Sequence, residues 1–397
     1  MSARGSPTGS LQASNELHSQ ARELLAGGIT RTTVFVPPRP PYLVRGAGAS
    51  VFDADGNELL DLIGNYTALV HGHAHPQIVS EAIAAVREGA CFSLPTRHEI
   101  DLAAELSRRM PAVERWRFAA SGTEAVMIAL RLARLATGRD VVVRFDGCYH
   151  GSYDGALAPG AAGVPRGLSD AILSVPVGDA RRLEAVLSER GEEIACVLFD
   201  LMPNRAGLVA ADPEFVRLLR AQTRRRGILL IADEVITFRL APGGLQSLYG
   251  LEADLTTLGK VIGGGYPVGA IGGRAELMDL FDPRTAGHLP HGGTFSANPL
   301  SMRAGRRALE LLTADEIERI NALGDRLRGE LARMGFDVAG RGSLLRVKVP
   351  DPARLWWRLY RRGVLIAGNG LAAISTAMTE ASIDRALAAF EHAAATP

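Results

Sequence analysis

Residues 228–235 read ILLIADEV, and shortly after them 254–274 read DLTTLGKVIGGGYPVGAIGGR. In the first stretch five apolar residues run without alternation and end on Asp233 and Glu234. A strand that is apolar on both faces belongs in a sheet covered on both sides, which is the habit of parallel α/β sheets. Ligands of such sheets bind just beyond the carboxyl ends of the strands. An acid at that place is either a functional group or a structural one that caps a helix or pairs with arginine. The second stretch repeats the pattern: an apolar strand delivers Lys260 into a glycine-rich turn. Such a lysine either lies on the surface or forms an imine with a carbonyl compound.

Working outward, strands are predicted over 115–119, 141–146, 195–200, 228–235, 254–258 and 268–273. Helices are predicted over 76–89, 98–109, 122–137, 180–190, 213–226, 246–250, 299–313 and 315–334. This alternation argues for a mostly parallel α/β sheet. Before it, a polar and disordered tail is expected over 1–14 and a helix over 15–26 that ends at Gly27-Gly28. Short strands and hairpins then turn at Gly46-Ala47-Gly48 and Asp55-Gly56. The expected organisation is a small-domain portion at 15–60, a large domain at 61–297 and the rest of an α+β small domain at 298–397.

Composition excludes several classes of function. The chain has 397 residues, 47% hydrophobic and 22% charged, as in ordinary globular proteins. Its 44 basic and 43 acidic residues leave a net charge of +1, with no basic surplus for a broad grip on nucleic acid or anionic membrane. There is no apolar run of transmembrane length and no signal-peptide core, and three scattered cysteines fit a reducing compartment. A cytoplasmic location is the expectation. Only Lys260 and Lys348 are lysines, so chemistry that requires a side-chain amine has two candidates.

Two further segments fall at strand ends. Residues 119–125, AASGTEA, form a strand, a turn and the start of an amphipathic helix. Ser121, Gly122 and Thr123 there either cap the helix or, with its free N–H groups, hold a phosphate. Residues 146–151, DGCYHG, place Tyr149 and His150 after another strand, as core aromatics or as a stack for a planar ring. A phosphate cup, an aromatic lid, an acid and an imine-forming lysine together meet the requirements of pyridoxal phosphate. The glycine run matches neither GxGxxG nor a Walker A sequence.

With these residues in view, the sequence resembles the class III, fold-type I aminotransferases over roughly 15–390, near glutamate-1-semialdehyde aminomutase and the aromatic β-amino acid aminotransferases. The stretches DEVITFRLAPGG at 233–244, 254–274 as quoted, and HGGTFSANP at 291–299 carry it. The resemblance implies that Lys260 holds the cofactor aldehyde and shuttles the substrate proton. It implies that Asp233 pairs with the pyridine nitrogen, that Val235 and Tyr149 take the two ring faces with His150 alongside, and that Ser121, Gly122 and Thr123 hold the phosphate. Thr294 would reach the phosphate of a neighbouring subunit, making the enzyme a homodimer, and Arg31 would bind a substrate carboxylate. The implied reaction is transfer of an amino group between an amino acid, a β-amino acid among the options, and a keto acid or aldehyde. An aminomutase is the alternative, because 145–170 is similar to that enzyme's gate, and an inactive cofactor-binding or regulatory protein is a second.

Two stretches depart from the family pattern. DLMPNR at 200–205 has Asp200 where a Glu-Pro pair is usual, and Asn369 stands near the place of a late carboxylate-binding arginine. Two others take a structural reading. His71, His73 and His75 alternate but have no acid or cysteine beside them, so no metal is expected, and Trp356-Trp357 lie on an amphipathic helix rather than on a nucleic-acid surface.

Overall fold

The computed structural model describes residues 11–395. The chain divides into two compact units, Gln77–Ile317 and a second made of Met1–Pro76 with Glu318–Pro397. Residues 61–76 therefore go with the chain ends, and 298–317 go with the large unit.

The large unit is built on a seven-stranded sheet. Its spatial order is Arg115–Ala119, Gly269–Gly273, Leu255–Gly259, Leu229–Asp233, Ile194–Phe199, Val141–Phe145 and Ile172–Val175. All pairings are parallel except those of Gly269–Gly273, which runs antiparallel to both neighbours. Six of the strands follow the expected pattern closely, and 141–145, 194–199, 229–233, 255–259 and 269–273 are buried throughout. Ile172–Val175 at the edge was not anticipated; four residues leading into Pro176 give too short a pattern to read.

The Gly122–Thr137 helix explains how this sheet is covered. Ala125, Val126, Ile128, Ala129, Leu130, Leu132 and Ala133 form its buried face and pack with Val142, Leu198, Ile231, Leu255 and Ile271 of the strands. Burying each such Leu or Ile side chain contributes about 1.5–3 kcal/mol. The helix ends on Gly138 in the left-handed conformation, a regular glycine stop. Its start lies very close to the sheet: a β carbon on Gly269 would stand 2.0 Å from the Ser121 carbonyl oxygen. Only glycine permits that approach.

The other unit contains a sheet of order Leu43–Ala47, Ser50–Asp53, Glu58–Asp61 and Val364–Leu365, plus a three-stranded sheet of Asp337–Arg341, Leu344–Lys348 and Leu371–Ala373. Val364–Leu365 pairs in parallel with Glu58–Asp61, so both ends of the chain build one small α+β unit. The first helix is Gln12–Leu24, earlier than the 15–26 expected, with Gly27 and Gly28 in a separate left-handed turn rather than at its C-cap. The expected tail at 1–14 lies outside the described residues for 1–10. Residues 12–14 are already helical, and Ser14 is buried with its Oγ donating to Asp55 Oδ2 at 2.6 Å.

The three alternating histidines take different partners, and one of these is an acid that the sequence reading did not place beside them. His73 Nε2 lies 2.7 Å from Asp61 Oδ2, while the ring of His71 lies 5.6 Å from that of His75 and its Nδ1 lies 2.9 Å from Thr376 Oγ1. Trp356 is buried in the Pro352–Tyr360 helix and donates to the Ile366 carbonyl at 2.8 Å.

Candidate active site

Three strands of the large sheet end side by side and deliver three ionisable groups. The Leu229–Asp233 strand stops at Asp233, two residues short of the 228–235 expected. There the chain turns, with Glu234 N–H donating to the Thr257 carbonyl at 3.0 Å and Val235 N–H to Asp233 Oδ1 at 3.1 Å. Asp233 is 6% exposed, and its Oδ2 lies 2.7 Å from Nδ1 of the fully buried His150. Thr257 Oγ1 stands 3.3 Å from Asp233 Oδ1. The carboxylate is thus fixed from three sides. The contact makes Nδ1 the protonated, donating nitrogen of His150, and its buried Nε2 has no protein partner among the described residues.

Glu234, adjacent in sequence, turns the other way. It is fully buried and accepts from Leu245 N at 3.0 Å, from Gln246 N at 2.6 Å and from Thr237 Oγ1. Burial pushes its carboxyl up to about 7, and its work is to hold the 234–246 loop. Of the two acids at this strand end, Asp233 is the one that meets His150 and Thr257.

Lys260 follows the Leu255–Gly259 strand. Its backbone takes the left-handed conformation, φ +50°, at the start of a short 3-10 turn, a strained choice for a residue with a side chain. Burial lowers its amine to about 8, while the charges of Asp233 and Asp200 push weakly the other way. Asp200 leaves the Ile194–Phe199 strand and is buried, with Oδ1 accepting from Met202 N–H at 2.9 Å. Burial, then the charge of Asp233, raises its carboxyl well above the usual range. Cys148 has its thiol pushed up to about 12 by burial, which disfavours the thiolate.

The anion cup is formed by the start of the Gly122–Thr137 helix. Ser121 is its N-cap, with Oγ accepting from Glu124 N–H at 3.2 Å, while Glu124 Oε2 accepts from Ala120 N–H at 2.6 Å. This reciprocal cap uses the third N–H group of the helix and leaves those of Gly122 and Thr123 pointing outward. A β carbon on Gly122 would stand 3.1 Å from both methyls of Val235, and one on Gly259 would stand 3.5 Å from Gly122 Cα. A β carbon on Gly151 would stand 2.5 Å from Thr123 Oγ1. Ser121, Gly122, Thr123, Val235, Asp233, His150 and Lys260 are thus brought together at one edge of the sheet.

Tyr149 is 44% exposed at the rim, with Oη 3.4 Å from Ser152 Oγ and the guanidinium carbon of Arg205 3.9 Å from its ring centroid. Two expected residues stand elsewhere. Thr294 occupies an exposed turn over 294–297, and none of the hydrogen bonds above reaches it. Arg31 belongs to the other unit, where Nη1 donates to Asn65 Oδ1 at 2.9 Å. Asn65, Tyr66 and Thr67 there are three successive left-handed residues. Asn369 closes its own turn by accepting from Leu371 N–H at 3.2 Å, and its carbonyl accepts from Arg346 Nε at 3.0 Å. Sequence reasoning did not single out Thr257 or Arg205. A hydroxyl residue inside a strand buried throughout was the available signal for the first; the second had none.

Comparisons with known proteins identify the family. The sequence profile described as aminotransferase class-III matches residues 36–394. A glutamate-1-semialdehyde 2,1-aminomutase from Akkermansia muciniphila is 39% identical, over 96% of this chain and 98% of its own length. The crystal structure of an ω-transaminase from Sphaerobacter thermophilus superposes with a TM-score of 0.93 at 41% identity, covering 98% of both chains. A β-phenylalanine aminotransferase from Variovorax paradoxus gives 0.89 at 35% identity, covering 96% of this chain and 93% of its own. With a seven-stranded, mostly parallel sheet, a small unit built from both chain ends and a match over nearly its whole length, the chain belongs to the class III aminotransferases, pyridoxal phosphate-dependent enzymes of fold type I.

Proposed function

We propose that this enzyme moves an amino group between a carboxylate-bearing amino acid, a β-amino acid among the candidates, and a keto acid or aldehyde, and that it works as a cytoplasmic homodimer. The observation that carries the reading is the placement of Lys260: a half-buried lysine at the carboxyl edge of the sheet, on the strand next to the one that ends at Asp233, whose carboxylate is held by His150 and Thr257.

The residues fit pyridoxal phosphate. Gly122 leaves room that a β carbon would take from Val235, outward N–H groups stand ready for a phosphate, and His150 keeps a buried nitrogen without a protein partner among the described residues. When bound, the cofactor supplies an electron sink and a carrier for the amino group. Ser121, Gly122 and Thr123 would hold its phosphate, Val235 and Tyr149 its ring faces. Asp233, oriented by His150 and Thr257, would keep its ring nitrogen protonated. Lys260 Nζ would hold its aldehyde and, once released, take the Cα proton of the substrate and return it. An amine near 8 is partly unprotonated at neutral pH and so matches both directions of that transfer. Thr294, exposed within its own chain, would contact the phosphate of the second subunit, and Arg31 would hold a substrate carboxylate.

The aminomutase reading has its own support, the 39% identity to an enzyme of that name over nearly the whole chain. Single-turnover measurements decide between them. A transaminase given one amino substrate releases one equivalent of keto product and stops; an aminomutase continues without a second substrate. Borohydride reduction followed by peptide mapping should label Lys260. A label on Lys348 alone would overturn the site assignment, and failure to transfer amine within any panel of amino and keto acids would favour the inactive cofactor-binding protein.

A further inference from the structure

The loop that leaves the Ile194–Phe199 strand carries Arg205 to the rim of the site on a firm support. Leu201, Met202 and Leu208 are buried, and Leu208 N–H donates to the Pro203 carbonyl at 2.9 Å. A β carbon on Gly147 would lie 3.4 Å from Ala206 Cβ, so this loop leans directly on the one that presents Tyr149 and His150. The Arg205 guanidinium stacks 3.9 Å from the Tyr149 ring centroid, and the residue after Tyr149 holds Asp233. Arg205 is exposed, and among the described residues it has no carboxylate within ion-pair distance and no hydrogen bond to protein. Other arginines of the large unit are engaged: Arg220 grips Asp254 at 2.7 and 3.1 Å, Arg144 donates to the Cys148 carbonyl, and Arg117 donates to His291 at 3.0 Å. A guanidinium held by its face on an aromatic ring keeps its in-plane N–H fork for a carboxylate.

We propose that Arg205 is a substrate-specificity residue that binds the second carboxylate of a dicarboxylic substrate, distinct from the carboxylate assigned to Arg31. The proposal rests on the aminotransferase reading above and supplies what Asn369 cannot, a cation for a second acid group. It places this group in the loop where the sequence departs from its family, at DLMPNR, rather than in the small unit.

The test uses purified, cofactor-loaded enzyme with Arg205→Gln, which keeps a planar group over Tyr149 but removes the charge, and Arg205→Lys. The ratio of kcat/KM for 2-oxoglutarate to that for pyruvate, with one common amino donor, should fall about 10- to 100-fold in Arg205→Gln, the range for a charge-assisted pair. Arg205→Lys should recover part of the loss, because lysine keeps the charge but not the fork. Calorimetric titration with glutarate, an unreactive dicarboxylate, should show the same weakening. That titration reads Arg205 even in an enzyme that transfers no amine, so failure of the aminotransferase reading and failure of this proposal are separable. An unmoved ratio and an unmoved glutarate affinity would overturn it. So would an equal loss for both acids accompanied by a fall in cofactor content, since Arg205 would then be a support for Tyr149.

Discussion

Gly122→Ala tests the geometry of the cofactor cup directly. The added methyl would stand 3.1 Å from both Val235 methyls, where carbon–carbon contact is comfortable at about 3.5–4.0 Å. Val235 must therefore move by roughly half an ångström. Its side chain is half-buried, so without cofactor it can swing toward the open side. The backbone of residue 122 is helical and tolerates alanine, and replacing glycine there restricts the unfolded chain, worth about 0.4–1 kcal/mol in favour of folding. Thermal unfolding of the cofactor-free variant should thus be unchanged or slightly raised. Where Val235 covers one ring face, as proposed, bound pyridoxal phosphate would take the space into which Val235 would retreat. Overpacking of that kind costs about 1–3 kcal/mol, or a 5- to 150-fold weaker cofactor affinity. Stripping the cofactor and titrating it back, followed by visible absorbance, measures this. Val235→Ala in the same chain removes both offending methyls and should restore most of the affinity, with a coupling of about 0.5–3 kcal/mol between the two positions. Wild-type affinity in Gly122→Ala, or strictly additive losses in the double variant, would refute the arrangement of Gly122, Val235 and the ring.

Two further outcomes follow from other parts of the structure. Covalent capture of the cofactor aldehyde by cofactor-free enzyme requires an unprotonated Lys260; because burial lowers that amine to about 8, the stopped-flow rate should climb to about pH 8 and then level, and Asp233→Asn, which removes a charge favouring the protonated form, should move the midpoint lower. Arg109 is buried in the large unit, where it holds Glu105 at 2.9 Å and the Leu312 carbonyl at 2.7 Å at the end of the Pro299–Leu311 helix; Arg109→Met should lower stability by about 2–4 kcal/mol in urea unfolding, and a loss below about 1 kcal/mol would show those carbonyls to be otherwise satisfied.

The parts of the fold that the residues announce are those governed by local pattern. ILLIA at 228–232 can hardly be anything but a covered strand, and the apolar face of 122–137 with Ser121 before it and Gly138 after it declares both ends of a helix. The antiparallel run of Gly269–Gly273 is different. Its glycines say only that something approaches closely, and its direction comes from pairing with 115–119 and 255–259, which no local signal encodes. The site divides in the same way. Lys260 and Asp233 stand at strand ends and could be read as such. His150 as the group that orients Asp233 joins residues 83 apart in sequence. The upward shift of the Asp200 carboxyl depends on burial and on the charge of Asp233, and the Arg205 stack depends on two loops leaning together. These are properties of the assembled sheet edge rather than of any stretch of sequence.

The placement of the two lysines has a practical side. Lys348 lies exposed at the end of the Leu344–Lys348 strand in one unit, and Lys260 lies at the floor of the site in the other, while 42 arginines supply the remaining positive charge. Guanidinium groups stay protonated and do not condense with aldehydes under mild conditions. An aldehyde entering this protein thus meets very few side chains able to trap it in the wrong place. Lysine-directed dyes or isotope-coded acylating tags should resolve into two peptides, one that always reacts and one that reacts only when the cup is empty. The fraction of enzyme carrying its cofactor could then be counted from a single digest by mass spectrometry, with Lys348 as the built-in reference.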